Sequence, residues 1–179
     1  MLTWLAQKRT LRRTARALYG SIVTQSRRDC FYAHWGVPDT AEGRFEMLAL
    51  HLVMVLHRLA AIGEPGRRMR QSLTETFVVD MDDAMREMTV GDLAVPRHVK
   101  RAVAALQDRY AIYRKALASP QDDPLVEAVA AQLGALTGAG TLDAGRICGY
   151  IKQVARTLET LPNARALAGE VDWPQPDAF

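Results

Sequence analysis

The chain has 179 residues, 49% hydrophobic and 24% charged, a balance that suits one globular domain and excludes a disordered, fibrous or disulfide-framework protein. Its formal net charge of +3 is unevenly spread: residues 1–35 hold Lys8, Arg9, Arg12, Arg13, Arg16, Arg27 and Arg28 against the single acid Asp29, so the basicity belongs to the front of the molecule. Cys30 and Cys148 have neither CxxC nor zinc spacing and read as two buried free thiols in a reducing compartment.

In chain order almost everything reads as helix. Leu2, Leu5, Leu11, Ala15, Leu18 and Ile22 recur at near-helical spacing, with the basic residues on the other face. That helix ends or bends near Arg27–Asp29, and an aromatic piece, Phe31–Tyr32–Ala33–His34–Trp35, leads to the break Gly36–Val37–Pro38. Asp39 with Glu42 three residues on is a start signal for a helix over Thr40–Ile62. From Met47 onward it is apolar on nearly every side, which places it at the centre of a bundle. Its run Met47–Ile62 is too short, and too interrupted by His51, His57 and Arg58, to span a membrane. No secretory apolar region follows the basic residues either, because Arg16, Tyr19 and Ser21 interrupt Ala15–Val23.

After Gly63–Gly66 a helix is predicted over Arg67–Thr89, with Leu73, Phe77, Met81, Met85 and Met88 in one stripe. Pro96 opens another, whose Val99, Val103, Leu106, Tyr110, Tyr113 and Leu117 make a seam for antiparallel packing. Asp123 and Pro124 start a helix reaching Leu136, and Asp143 caps a last one that runs inward through Ile147, Ile151, Val154, Leu158 and Leu161. No period-2 run survives, so the expected fold is an all-α, single-domain bundle of about six to seven helices without a sheet. The expected organisation is a basic segment over 1–16, a helical domain over 17–161 and a flexible tail over 162–179 in which Trp173 docks.

The residues that could carry chemistry are sparse. His51 and His57 are six apart, about 120° off a shared helix face, and HExxH is absent. His51 among leucines reads as a hydrogen-bonded core residue, or as the single ligand with which a bundle can hold haem. Asp80, Asp83 and Glu87 share a face at i, i+3 and i+7, but no Glu-x-x-His accompanies them, and Met85 stands where a calcium loop needs Gly. They read as ion pairs with residues such as Arg86, or as a docking patch for a basic partner. No G-x-S-x-G, phosphate loop or nucleophilic-Cys context is present. Three function classes stay open at this level: a surface-lending chaperone, a haem- or metal-binding bundle, and an RNA- or ribosome-binding adaptor using Lys8, Arg9, Arg12, Arg13 and Arg16. The methionine stripe is an adaptable surface or simply core, and Phe31–Tyr32–Trp35 beside a Pro break is a candidate contact or a buried patch.

Ordered strings then carry a resemblance. They are Leu18–Tyr19–Gly20–Ser21–Ile22–Val23, Phe31–Tyr32, Gly36–Val37–Pro38–Asp39–Thr40, Gly43–Arg44–Phe45–Glu46–Met47, Leu50–His51, Asp80–Met81–Asp82, Arg86–Glu87–Met88 and Val90–Gly91–Asp92–Leu93–Ala94–Val95–Pro96. Over residues 17–117 they resemble the ubiquinol–cytochrome c chaperone family, assembly factors for cytochrome b of the bc1 complex. The resemblance implies a non-enzymatic all-helical chaperone of bacterial form without cofactor, metal or DNA. It works peripherally at the cytoplasmic face of the inner membrane on newly made or newly inserted cytochrome b. A small helical partner and contact with the ribosome or an anionic membrane are implied as well. The client or partner contacts it suggests are Tyr19, Phe31, Tyr32, Trp35, Arg44, Phe45, Asp80, Asp82, Arg86 and Asp92; anionic-surface contacts fall to Lys8, Arg9, Arg12, Arg13 and Arg16.

Overall fold

The computed structural model describes residues 2–87, 91, 93–119, 123–137 and 142–179. Its helices are α1 (Leu2–Ser26), α2 (Asp29–Ala33), α3 (Ala41–Ala60), α4 (Glu64–Glu87), α5 (Val95–Leu117), α6 (Asp123–Thr137), α7 (Ala144–Thr160) and α8 (Asn163–Leu167), followed by a 3-10 turn at Pro176–Ala178. Six of these are long, two are single turns, and no strand occurs among the described residues. The all-α bundle expected from periodicity is the fold that forms.

Local chemistry sets the helix ends. Asp143 caps α7 as the sequence suggests, its side chain accepting from the Arg146 amide at 3.0 Å. At α3 the cap is Thr40, not Asp39: the hydroxyl accepts from the Gly43 amide at 3.2 Å, while Asp39 turns to Arg44 at 2.5 Å. A short hydroxyl reaches the third amide of the helix, and the freed carboxylate takes a cation five residues on. Gly43 is required there, since a Cβ at that position would lie 2.0 Å from the Pro38 carbonyl oxygen. The helix predicted from Arg67 begins earlier, at Glu64, because Gly63 with φ of 76° makes the turn. Glu64 then accepts from Arg67 and Arg68 on its own first turns.

α3 is the axis of the molecule and touches each of the other five long helices. Met47, Ala49, Leu50, Leu52 and Val53 are at most 1% exposed, so no side of this helix faces water through its middle. α1 and α4 lie side by side in the same direction, with Arg12 beside Ser72 and the Tyr19 hydroxyl donating to Asp80 Oδ2 at 2.7 Å. A deeply placed ion pair holds α5 on α3: Arg109 donates to Glu46 through Nε at 2.9 Å and a terminal nitrogen at 2.5 Å. Glu46 is 5% exposed, and a two-pronged bond to a planar guanidinium is the arrangement that offsets its desolvation.

Residues 162–179, expected as a flexible tail, lie packed across α1, α2, α3 and α7. Gly169, at φ of 74°, turns the chain against α1, where a Cβ would sit 3.2 Å from Thr14 Cγ2. The Trp173 ring then meets His51 edge-on at 5.7 Å, and the Pro174 carbonyl accepts from Gln25 at 3.0 Å. Arg28 holds Gln175 and Asp177, and the Phe179 ring stands 5.9 Å from Tyr150. Prolines and glycines signal irregular backbone, not solvation; apolar anchors at Ala166, Trp173 and Pro176 keep this strap in place. Trp173→Ala therefore lowers unfolding free energy by about 2 kcal/mol in urea titration, the scale of a partly buried aromatic. A loss under about 0.5 kcal/mol overturns the anchoring role.

Candidate functional site

The candidate residues separate by burial. Phe31 (0% exposed) and Trp35 (2%) are core, 5.1 Å apart edge-to-face and both packed on Tyr150. Tyr19 is buried on its bond to Asp80, and burial first, then the carboxylate beside it, pushes its hydroxyl far above the usual phenol range. Phe45 is half-buried, 6.5 Å from Phe77. These four side chains hold helices together and offer little or no surface. The apolar character that made them candidates is the property that buries them.

Tyr32 and Arg44 do come together, around a shallow hollow of about 590 Å³ shared with Arg27, Asp29 and Asp39. Tyr32 donates to the Ser26 carbonyl at 2.8 Å and is pushed up to about 12 by burial. Arg44 holds the Asp39 carboxyl below its ordinary range. Two cations face two carboxylates here, so the hollow has no net charge to attract a ligand. Asp82 and Arg86 pair along α4 at 2.7 Å, exposed, while Asp83 and Glu87 lie at the surface nearby; Asp92 and Met88 fall outside the described residues. No group of three or more metal-ligating side chains occurs among the described residues.

His51 sits in a closed polar chain. Its Nδ1 lies 2.7 Å from the Met47 carbonyl and its Nε2 2.8 Å from the Tyr150 hydroxyl, to which Gln25 also donates at 2.8 Å. A carbonyl accepts only, so Nδ1 carries the proton, Nε2 accepts from Tyr150, and Tyr150 accepts from Gln25. Both ring nitrogens are engaged, which leaves no lone pair for haem or metal, and Phe31, Tyr150 and Trp173 crowd the ring within 5.8 Å. Burial lowers the His51 pKa to about 4, against a small opposing push from the Met47 carbonyl. His57, at the edge of a 420 Å³ cavity with Arg58 and Glu159, is lowered by burial, then by Arg114 and Arg70.

The unfolded chain protonates His51 near the ordinary imidazole value of 6.5, the folded chain only near 4, so acid favours unfolding between those values. Stability contributed by a neutral His51 is complete above pH 6.5 and falls as pH drops toward 4, by about 2 kcal/mol at pH 5. Urea midpoints measured at pH 8 and pH 5 will show that loss, and His51→Gln will flatten it. A slope identical in both proteins assigns the acid sensitivity elsewhere.

Sequence reasoning missed the concavity between α4 and α5. An open groove of about 750 Å³ runs between α4 and α5 over α3, walled by Leu56, Val78, Val79, Val103, Leu106 and Tyr110. Arg67, Arg70, Gln71, Glu75 and Gln107 form its rim, with the Arg70 guanidinium 5.4 Å over the Tyr110 ring. Arg70 Nε is buried and makes no hydrogen bond among the described residues. The seam expected on α5 is half used: Leu106 and Tyr113 are buried, whereas Val99, Val103 and Tyr110 stay partly exposed. Val79 is 56% exposed. An available signal was the second apolar face of α5, wider than packing on α3 alone requires.

The fold is that of an all-helical protein with an open apolar groove on one side. The chain belongs to the ubiquinol–cytochrome c chaperone family, whose model matches residues 33–173. That span extends past the 17–117 over which the resembling strings lie and takes in α6, α7 and Trp173 of the strap. The structure is also similar to the crystal structure of the Cbp3 homolog from Brucella abortus, with 26% identity, a TM-score of 0.85, and coverage of 99% of this chain and 98% of that one. No match was found among curated proteins.

Proposed function

We propose that the protein binds newly synthesised cytochrome b and supports assembly of the ubiquinol–cytochrome c reductase complex, with the α4–α5 groove as its client surface. Family membership supports the assembly role. The groove is the observation that carries the mode of action: an exposed apolar trough with polar side chains at the rim is what an unassembled membrane segment needs. From Arg67 to Val79 its α4 wall is about 18 Å long at roughly 1.5 Å per residue, enough for three turns of a client helix. Helix-in-groove contact of this kind shields a hydrophobic stretch without any bond being made or broken. No described helix is long and apolar enough to cross a membrane. On the family reading the protein acts from the cytoplasmic face of the inner membrane as a peripheral component.

Photo-crosslinkers at Thr74, Val79 and Gln107 will capture cytochrome b in cells making it, and one at Arg146, exposed on α7 outside the groove, will not. Val78→Asp with Val103→Asp will cut co-purified cytochrome b at least about tenfold, since tenfold is only about 1.4 kcal/mol and each new carboxylate would lie unpaired under the client. Circular dichroism of the variant will report an intact bundle. Capture from Arg146 but not from the groove, or undiminished recovery in the folded double variant, overturns the groove as client surface.

A further inference from the structure

Arg9, Arg12 and Arg16 recur at three- and four-residue spacing along α1, with Lys8 and Arg13 flanking them, and all five are exposed. Arg9, Arg12, Arg13 and Arg16 have no ion-pair partner among the described residues, and no acid precedes Asp29 in the chain. α1 carries a 25-residue length of helix, of which Ala15, Leu18, Tyr19 and Ile22 are buried against the bundle, so the cationic side faces outward. Four large apolar side chains are exposed in the described structure, and two of them lie in this cationic zone. Leu5, 49% exposed, is on the register of Arg9, Arg12 and Arg16, and Val79 of α4, 56% exposed, lines a surface hollow with Arg12 and Arg16. Glu75 is the one acid bordering that hollow.

We infer that this face docks on an anionic phospholipid bilayer, with the arginines at the headgroups and Leu5 and Val79 entering the interface. Charge complementarity selects a phosphate-bearing surface, and the apolar residues set among the cations distinguish the partner. Interfacial helices combine cations with exposed apolar side chains, because the bilayer accepts both. Single-stranded RNA is held by cations with aromatic stacking platforms; Tyr19, the aromatic nearest Arg12 and Arg16 along α1, is buried and bonded to Asp80. Docking has a geometric consequence: Val79, Glu75 and Gln71 border both this face and the α4–α5 groove, so a docked molecule opens its groove beside the membrane. That last step rests on the client reading above, whereas the docking itself does not.

The test uses the full chain and lipid vesicles without client. Sedimentation with vesicles of phosphatidylcholine and phosphatidylglycerol at 70:30 will show binding that pure phosphatidylcholine vesicles lack and that falls steeply between 50 mM and 300 mM salt. Arg12→Glu with Arg16→Glu will weaken partition by at least about thirtyfold, each lost cation accounting for roughly fivefold. Arg9→Glu with Arg13→Glu, substituted farther from the α4 interface, gives the same direction if the first pair disturbs folding. Leu5→Ser will weaken binding severalfold at unchanged charge. Equal binding to both vesicle types, no binding to either, retention in both charge-reversed variants, or binding to poly(U) RNA with no vesicle partition each overturns the inference. Because no client is present, failure here leaves the groove reading standing, and loss of client capture leaves this one standing.

Discussion

The structure depends on one constraint: α3 is apolar around its whole circumference. Such a helix is stable in water only when other helices enclose it, and five long helices do so. Its few polar groups are placed under the same constraint. Glu46 can be buried because Arg109 meets it with two donors, and His51 can be buried because Met47, Tyr150 and Gln25 satisfy both ring nitrogens and the hydroxyl between them. Glu46 thus fixes α5 through Arg109, and His51 fixes α7, α1 and the strap through the chain that starts at its ring.

Enclosure is not complete on the α4–α5 side. There α5 is tied down by Arg109, Leu106 and Tyr113 on its inner face, and α4 by Met69, Leu73 and Phe77. The side chains between those two contact lines, Val78, Val79, Val103 and Tyr110, meet across a trough without filling it. The packing that makes the core thus generates the open surface: two helices held firmly on a common support leave a gap that neither can close by moving. Arg70 lies over Tyr110 at the border, a cation whose aliphatic stem covers apolar surface while its head meets the ring.

Much of this architecture was legible in the chain. The central position of α3 followed from its unbroken apolar run, the α7 cap from Asp143, and the outward cationic face of α1 from the alternation of Leu11, Ala15 and Leu18 with arginines. The candidate site was legible only as a family likeness. Phe31 and Trp35 stood out as aromatics near a chain break and Tyr19 within a family string, but a lone sequence does not say which apolar side chains find partners, and these found them in Tyr150, His51 and Asp80 from distant positions. The groove was illegible for the same reason: Val103 and Leu106 are both apolar and share the helical period, and only the packing of neighbouring helices decides that one is partly open and the other covered. Thr40 took the cap from Asp39 because Arg44 competed for the carboxylate, a choice between two adequate caps that spacing alone leaves even.

The strap carries a consequence for the order of folding. Trp173, Pro174 and Phe179 complete the wall around His51, Tyr150 and Gln25, so until those residues dock the polar centre stays wet and its neighbouring helices unlocked. Maturation is then a closing event that waits for the strap, and a copy of this protein without it would itself be an exposed greasy intermediate up to the moment the strap is laid down.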